Sequence, residues 1–189
     1  MIFETIITSC DGAGRAHVSP FGVGNRGENV VISPYKPSTT LNNILATKFA
    51  VMNMTDDVRV FAGALTGHTN WSLIPINDYK GYRLADCLAH TVLRLIDVRE
   101  DEVRPQLVMQ TVRSENNKYF HGFNRAQAAV VELSILVSRL HMLPKEKVMI
   151  EKEYLQIAID KTAGERELEA WGWLIEKIDN FYVEQEGII

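Results

Sequence analysis

Near Gly122 the hydrophobic period of this chain changes from about two residues to about 3.6, so its fold must house a strand-built part and a helix-built part. Before that point, short runs rich in β-branched residues recur at Ile2 to Ser9, Ala16 to Phe21, Val30–Ser33, Phe49–Met54, Val58–Ala62, Leu88–Val98 and Leu107–Arg113. Asp11-Gly12-Ala13-Gly14 is turn chemistry and predicts that the first two runs form a hairpin. Leu88–Val98 alternates in part, with Ala89, Leu93 and Leu95 opposite His90 and Arg94. Many short strands with one brief helix among them favour an antiparallel barrel over a βαβ sheet.

After Gly122 the spacing is helical. Asn124 with Gln127 reads as a capping box, followed by Ala126, Ala129, Val130, Leu133, Val137 and Leu140. This helix is apolar nearly all round, which predicts burial on more than one side; Arg125 and Glu132 on it are then expected to be paired. Pro144 opens a second helix to about Lys161, with Val148, Leu155, Ala158 and Ile159 as its inner stripe. Thr162-Ala163-Gly164-Glu165 reads as another capping box, opening a last helix that carries Leu168, Trp171, Ile175, Ile178 and Tyr182 on one face. The expected division is a barrel domain over 1–121 and a three-helix unit over 122–189 packed on it.

With 189 residues, 46% of them hydrophobic, the chain can bury a proper core. Charged residues make up 23% and the net charge is −4, so no strong field steers it onto nucleic acid or an anionic membrane. Cys10 and Cys87 lack zinc or CxxC spacing, which predicts buried thiols, no disulfide and a reducing compartment. No stretch is long and apolar enough for a membrane span, and Met1-Ile2-Phe3-Glu4 begins no leader, so a cytoplasmic location is expected.

The segment from Ser33 to Asn53 carries the chemistry. Ser38 is a natural helix N-cap, and Thr39 and Thr40 in the first turn add two hydroxyls to free N–H groups beside the Lys36 ammonium. A phosphate monoester suits such a corner, because a helix start offers donors and a positive dipole end. Capping alone also accounts for the three hydroxyls.

Gly22-Val23-Gly24-Asn25-Arg26-Gly27 matches the dinucleotide fingerprint, but Glu28-Asn29-Val30-Val31-Ile32 reads as a strand where the fingerprint needs a helix. The glycines are therefore a connection between strands. His17, His68, His90, His121 and His141 show no ligand spacing, so no metal site is expected. Ser9-Cys10-Asp11 has no nucleophile elbow or placed base. Trp171 and Trp173 are expected in packing, whereas Trp71, in a loop, is a weaker candidate for stacking on a ligand ring. No catalytic residue is assigned.

Taken in order, Asp11-Gly12, His17-Val18-Ser19-Pro20-Phe21-Gly22-Val23, Pro34-Tyr35-Lys36-Pro37-Ser38-Thr39-Thr40-Leu41-Asn42-Asn43-Ile44 and Phe49-Ala50-Val51-Met52-Asn53 resemble the FMN-binding split-barrel superfamily of flavin reductases and flavoredoxins. Within it the chain is similar to the DUF447 group over nearly its whole length, including Gly122-Phe123-Asn124-Arg125-Ala126. The resemblance implies an antiparallel six-stranded FMN-binding split barrel with a C-terminal three-helix unit. It implies a homodimer with FMN near the subunit interface. It assigns Ser38, Thr39 and Thr40, with Lys36 and Asn43, to the phosphate, and the backbone of Ser19, Pro20, Phe21 and Gly22 to the isoalloxazine edge. Asn53 and Arg125 are weaker candidates. The arginine-rich phosphate clamp of the pyridoxamine-phosphate-oxidase branch is missing, which argues against that activity. The expectation is an NAD(P)H-linked flavin reductase or oxidoreductase with the acceptor open; a flavin carrier or dimeric binding protein without turnover is the alternative.

Overall fold

Asp11 turns the chain back on itself, because its carboxylate accepts the amides of Ala13 and Arg15, each at 2.9 Å. The strand before it, β1 (Ile2–Cys10), therefore pairs antiparallel with the strand after it, β2 (Ala16–Arg26), with Cys10 opposite Ala16 and Ile2 opposite Gly24. Gly27, at φ 61°, makes the next reversal into β3 (Asn29–Ile32), so the glycine run joins two strands as the sequence implies. The computed structural model describes residues 1–77, 79 and 81–186.

Helix α1 (Thr39–Thr47) follows β3 and ends at Lys48, a left-handed residue that hands the chain to β4 (Phe49–Met54). After helix α2 (Arg59–Thr66), β5 (Leu73–Pro75) and β6 (Tyr82–Leu84) form a small hairpin. The long strands β7 (Ala89–Arg99) and β8 (Gln106–Asn116) complete a closed antiparallel barrel in the order β1-β2-β3-β8-β7-β4. Closure removes exposed sheet edges wherever neighbours pair along their full length.

Alternation along the strands sends Ile7, Val23, Val30, Ile32, Ala50, Leu93, Leu107 and Met109 into one core, and Leu41 and Ile44 of α1 complete it. Val51 and Val92 face the other way and are buried in a second cluster with Ile76, against which Phe49 and Tyr79 pack. Burial on both faces, with register shifts in β7 at Val92/Leu93 and Leu95/Asp97, explains why that strand alternates only in part. His90, on the face opposite Leu93 and Leu95, is buried too.

The barrel unit comprises Met1–Asp56 and Asn70–Phe120; the second unit comprises Asp57–Thr69 and His121–Ile189. The second unit is built from α2 and from α3 (Arg125–Val137), α4 (Lys145–Thr162) and α5 (Glu165–Glu186). Val58–Ala62, expected as a strand, instead opens α2: the Ala62 amide reaches the Val58 carbonyl at 3.2 Å, and Gly67 at φ 86° ends the helix. A short apolar run suits either period, and contact with α3 and α5 decides for helix.

Asn124 caps α3 through the Ala126 amide at 2.8 Å, and its own amide donates to the Thr162 carbonyl at 3.0 Å. Gln127 does not complete a capping box; it donates to Glu167 at 3.1 Å. Thr162 does not open α5 either. It ends α4, its hydroxyl donating to Ala158 at 2.7 Å and accepting the Ala126 amide at 3.1 Å. Buried Glu167 instead accepts the Gly164 amide at the start of α5, at 2.9 Å. On α5 the inner positions are Trp171, Leu174, Ile178 and Tyr182, whereas Leu168 is exposed. Arg125 and Glu132 are also exposed, so neither carries a buried charge that would require pairing. None of the described helices is long and apolar enough to cross a membrane.

Candidate functional site

The corner between β3 and α1 is held by the β7–β8 loop. The Lys36 amide donates to the Val103 carbonyl and its ammonium to the Asp101 carbonyl, both at 2.9 Å. Arg104 donates to the Ser33 carbonyl at 3.0 Å, and its guanidinium lies 4.6 Å from the centre of the Tyr35 ring. The Asp101 carboxyl is held below the usual carboxylate range by the Arg104 and Val103 amides it accepts, with the Lys36 charge adding to them. The Lys36–Pro37 peptide bond is cis.

Ser38 has extended backbone angles and its hydroxyl accepts the Leu41 amide at 3.2 Å, the geometry of an N-cap. The first i to i−4 bond of α1 runs from Asn42 to Ser38, so the Thr39 and Thr40 amides have no acceptor within the helix. Thr39 is exposed on this turn, while Thr40 is buried. Asn43 points inward and donates to the Ser9 hydroxyl at 3.1 Å. The structure thus groups Lys36, Ser38 and Thr39 at the accessible face of the corner and turns Thr40 and Asn43 towards the barrel.

Ser19, Pro20, Phe21 and Gly22 lie along the middle of β2, half-buried, opposite Ile7, Ile6, Thr5 and Glu4 of β1. On its other side β2 pairs with β3 only from Gly24 to Arg26. Among the described residues the far edge of β2 from Ala16 to Val23 therefore has no strand beside it. In an antiparallel ladder alternate residues direct their N–H and C=O groups to opposite sides. Half of the backbone groups of Ser19–Gly22 consequently face this split rather than β1. Pro20 contributes only a carbonyl to this set, since it has no N–H.

Asn53 is wholly buried and does other work. Its amide nitrogen lies 3.1 Å from the Ile6 carbonyl, 3.2 Å from the Thr8 hydroxyl and 3.2 Å from the Val51 carbonyl, and its oxygen accepts the Leu84 amide at 2.8 Å. Thr8 also donates to the Tyr82 carbonyl, so these two side chains fix β6 across β1 and β4. Arg125 belongs to the helical unit. His17, opposite Ser9, is half-buried, which pushes its pKa down.

An open cavity of about 730 Å³ in the barrel unit is lined by Glu4, Met54, Leu88, Asn116, Asn117 and Tyr119, among others. It adjoins the β2 segment at Glu4, whose carboxylate lies 3.1 Å from where a Cβ on Gly22 would stand. Behind Asn117, its amide reaches the Cys87 sulfur at 3.3 Å and His90 Nδ1 at 3.2 Å. Burial pushes the thiols of Cys10 and Cys87 up, and both cysteines are free. Among the described residues no three His, Cys, Asp or Glu side chains cluster as a metal ligand set.

Arg104 is the residue that sequence reasoning missed. Nothing in the spacing of Arg99-Glu100-Asp101-Glu102-Val103-Arg104 says that this loop folds back on Ser33 and Lys36. Trp171 donates to Gln156 at 2.9 Å and Trp173 stacks on His68 at 4.0 Å, so both belong to packing in the helical unit.

Known structures share this architecture. The FMN-bound protein from Methanosarcina mazei superposes with a TM-score of 0.78 at 21% identity, over 93% of this chain and 94% of that one. The 2-nitrobenzoate 2-nitroreductase of Pseudomonas fluorescens gives 0.53 at 19% identity, over 60% of this chain and 64% of that one. Flavoredoxin from Methanosarcina acetivorans gives 0.51 at 12%, over 61% and 69%. No curated protein matches the sequence. The family model described as the N-terminal domain of a protein of unknown function (DUF447) matches residues 3–118, and its companion DUF447 model matches 124–176. The chain therefore belongs to the DUF447 family and carries the six-stranded antiparallel barrel of split-barrel flavin proteins.

Proposed function

We propose that the protein binds FMN and acts as an NAD(P)H-linked oxidoreductase or flavin reductase, as a homodimer with the flavin near the subunit interface. The observation that carries this reading is the pairing of two features in one unit: a hydroxyl-capped helix start in a corner that also holds Lys36 and the Arg104–Ser33 contact, and a strand whose far edge, among the described residues, is unpaired over Ala16 to Val23. The similar protein from Methanosarcina mazei is FMN-bound, which supports the choice of ligand.

The residues fit the group at its phosphate end. Lys36, the Ser38 and Thr39 hydroxyls and the first-turn amides of α1 would hold a phosphate of about −1.5 to −2 charge. Each charge-assisted hydrogen bond there is worth about 1.5–3 kcal/mol. Arg104 adds a second cation without itself needing to touch the ligand. The backbone of Ser19–Gly22 would orient the ring, and Asn43 and Asn53 would support the site from behind through Ser9 and β6. When bound, FMN supplies two-electron redox chemistry; the chain's own part is to bind it, orient it and present one face to a reductant.

The test is to purify the protein, titrate the flavin-free form with FMN and follow flavin fluorescence. Ser38→Ala with Thr39→Ala is expected to weaken binding at least tenfold. A protein that ignores FMN removes the proposal. Anaerobic NADH or NADPH should then bleach the bound flavin; tight flavin that neither reduces would make the protein a carrier instead of an enzyme.

A further inference from the structure

The sheet opens beside the first half of β1. That strand pairs with β4 only from Ile6 to Thr8, so among the described residues its β4-side edge from Ile2 to Thr5 has no strand beside it. Met54, at the end of β4, lies opposite Ala89 of β7, and Ala89 lies opposite Asn116 at the end of β8. The Leu88 amide donates to the Met54 carbonyl at 2.8 Å, and the Leu88 carbonyl accepts the amides of Asn117 and Lys118 at 2.7 and 3.0 Å. Backbone bonds therefore hold the chain after β8 against the start of β7. The cavity of about 730 Å³ bounded by these segments and Glu4 has the size of a small-molecule site.

Its charge balance is negative. Glu4 makes no hydrogen bond or ion pair among the described residues, whereas Lys118, the cation in the same lining, is paired with the Asp86 carboxylate. Asn117 turns its NH2 group inward, to the Cys87 sulfur at 3.3 Å and His90 Nδ1 at 3.2 Å, so Oδ1 is the end of the amide left for the cavity. Burial keeps His90 neutral, and Nδ1 can therefore accept that bond. Asn116 and the Tyr119 hydroxyl can donate or accept, so they oppose neither kind of ligand. The apolar lining is Met54, Leu88 and Ala89, with the Tyr119 ring 87% exposed at the rim.

We propose that this cavity binds a small organic cation, a protonated amine on an apolar body, with its ammonium drawn to the Glu4 carboxylate and its body lying against Met54, Leu88 and the Tyr119 ring. An unpaired carboxylate, an amide oxygen and an aromatic face each favour an ammonium. A phosphate would meet the uncancelled charge of Glu4, and a divalent metal takes several oxygen ligands where the lining offers one carboxylate. An exposed carboxylate alone holds a cation only weakly, so the apolar floor and the ring must supply the rest. None of these residues is among those assigned to FMN, and the inference does not rest on the flavin reading.

Methyl NMR of Met54 and Leu88 in the full chain, titrated with phenethylammonium, phenethyl alcohol and hydrocinnamate, tests it. The three probes share one apolar body and differ in charge. The cation is expected to bind in the millimolar range, at least about fivefold more tightly than the alcohol, and the carboxylate not to bind. Glu4→Gln should erase the preference for the cation and leave the alcohol's affinity unchanged. Because Glu4 has no partner to lose among the described residues, the urea midpoint of that variant should match the wild type, which guards against misfolding. Equal affinity for cation and alcohol, a preference that survives Glu4→Gln, or shifts that bypass Met54 and Leu88 overturn the inference. The titration is repeated with saturating FMN. Amine binding should persist; competition would give the cavity to the flavin and overturn the inference, whereas a protein that ignores FMN yet binds the amine removes the flavin reading and upholds this one.

Discussion

The Leu84 amide donates to Oδ1 of Asn53 at 2.8 Å, across 31 residues of sequence. Removing the Asn53 side chain leaves that amide, the Ile6 and Val51 carbonyls and the Thr8 hydroxyl short of a partner in a buried place. Each buried group left unsatisfied costs about 1–3 kcal/mol. Asn53→Ala is therefore expected to destabilise the barrel by about 3 kcal/mol, read as a lower urea midpoint with the slope unchanged. A variant of wild-type stability that has lost only flavin would show that Asn53 faces ligand.

Ser38 separates capping from ligand binding. Loss of its hydroxyl removes the partner of the Leu41 amide, and Ser38→Ala should cost about 1 kcal/mol of stability. Thr39→Ala, at an exposed first-turn position, should change stability by less than about 0.5 kcal/mol. Both should weaken FMN binding. If only Ser38→Ala does so, and in proportion to its stability loss, the corner is a cap and nothing more.

Acid should weaken the fold above the range where carboxylates titrate. Burial is the main force pushing His90 below its ordinary 6.5, Arg83 and Arg113 add to it, and Glu115 at 4.0 Å from Nε2 opposes it. His17 is lowered by burial as well. The unfolded chain then takes up protons first, so stability is complete above about pH 6.5 and is lost as pH falls through the folded pKa values. Urea midpoints should drop between about pH 7 and pH 5, and imidazole resonances of both residues should titrate below the unfolded value. Constant midpoints across that range would contradict the burial argument. The depressed carboxyls of Asp11 and Asp101 add losses only below their ordinary 3.8.

In the helical unit Arg59 grips buried Asp57 with two nitrogens, at 2.8 and 2.6 Å, and Glu169 with a third at 2.9 Å. Hydrogen bonding to Asp57 is the main cause that holds its guanidinium charged. Arg59→Ala removes the two short guanidinium bonds to Asp57 while keeping the residue-59 amide at 3.2 Å and Arg166 at 3.8 Å among its partners, and should cost about 2–4 kcal/mol in chemical denaturation. Arg59→Lys should recover only part of this, since an ammonium cannot span both carboxylates. Equal stability of Lys and Arg at this position would mean that only charge counts there.

What the sequence made legible was local. Asp11 at a turn and Ser38 and Asn124 at helix starts each act on amides a few residues away, and Pro144 before α4 fixes its own backbone angle, so their type and position were sufficient. The rejected glycine fingerprint rested on the same kind of evidence, the strand that follows Gly27. Residues whose meaning comes from distant partners stayed hidden. Val58–Ala62 became a helix because of side chains more than 60 positions on, and Thr162 and Gln127 took partners outside their own boxes. In the candidate site, Lys36, Ser38 and Thr39 were readable from type and spacing. The inward turn of Asn43, the engagement of Asn53 with β6 and the approach of Arg104 all depend on loops and hairpins that only the fold brings together.

The route of the backbone through α2 has a practical corollary. The chain leaves the barrel at Asp57, lends one helix to the other unit, comes back at Asn70 and departs again at His121. No single cut can therefore divide the molecule into two self-sufficient pieces. A fragment ending at Phe120 would keep Val58 and Ala62 but lose the side chains that bury them, and the complementary fragment would begin with a hole where they belong. The two units are thus joined by three passages of the chain, after Asp56, Thr69 and Phe120, instead of one.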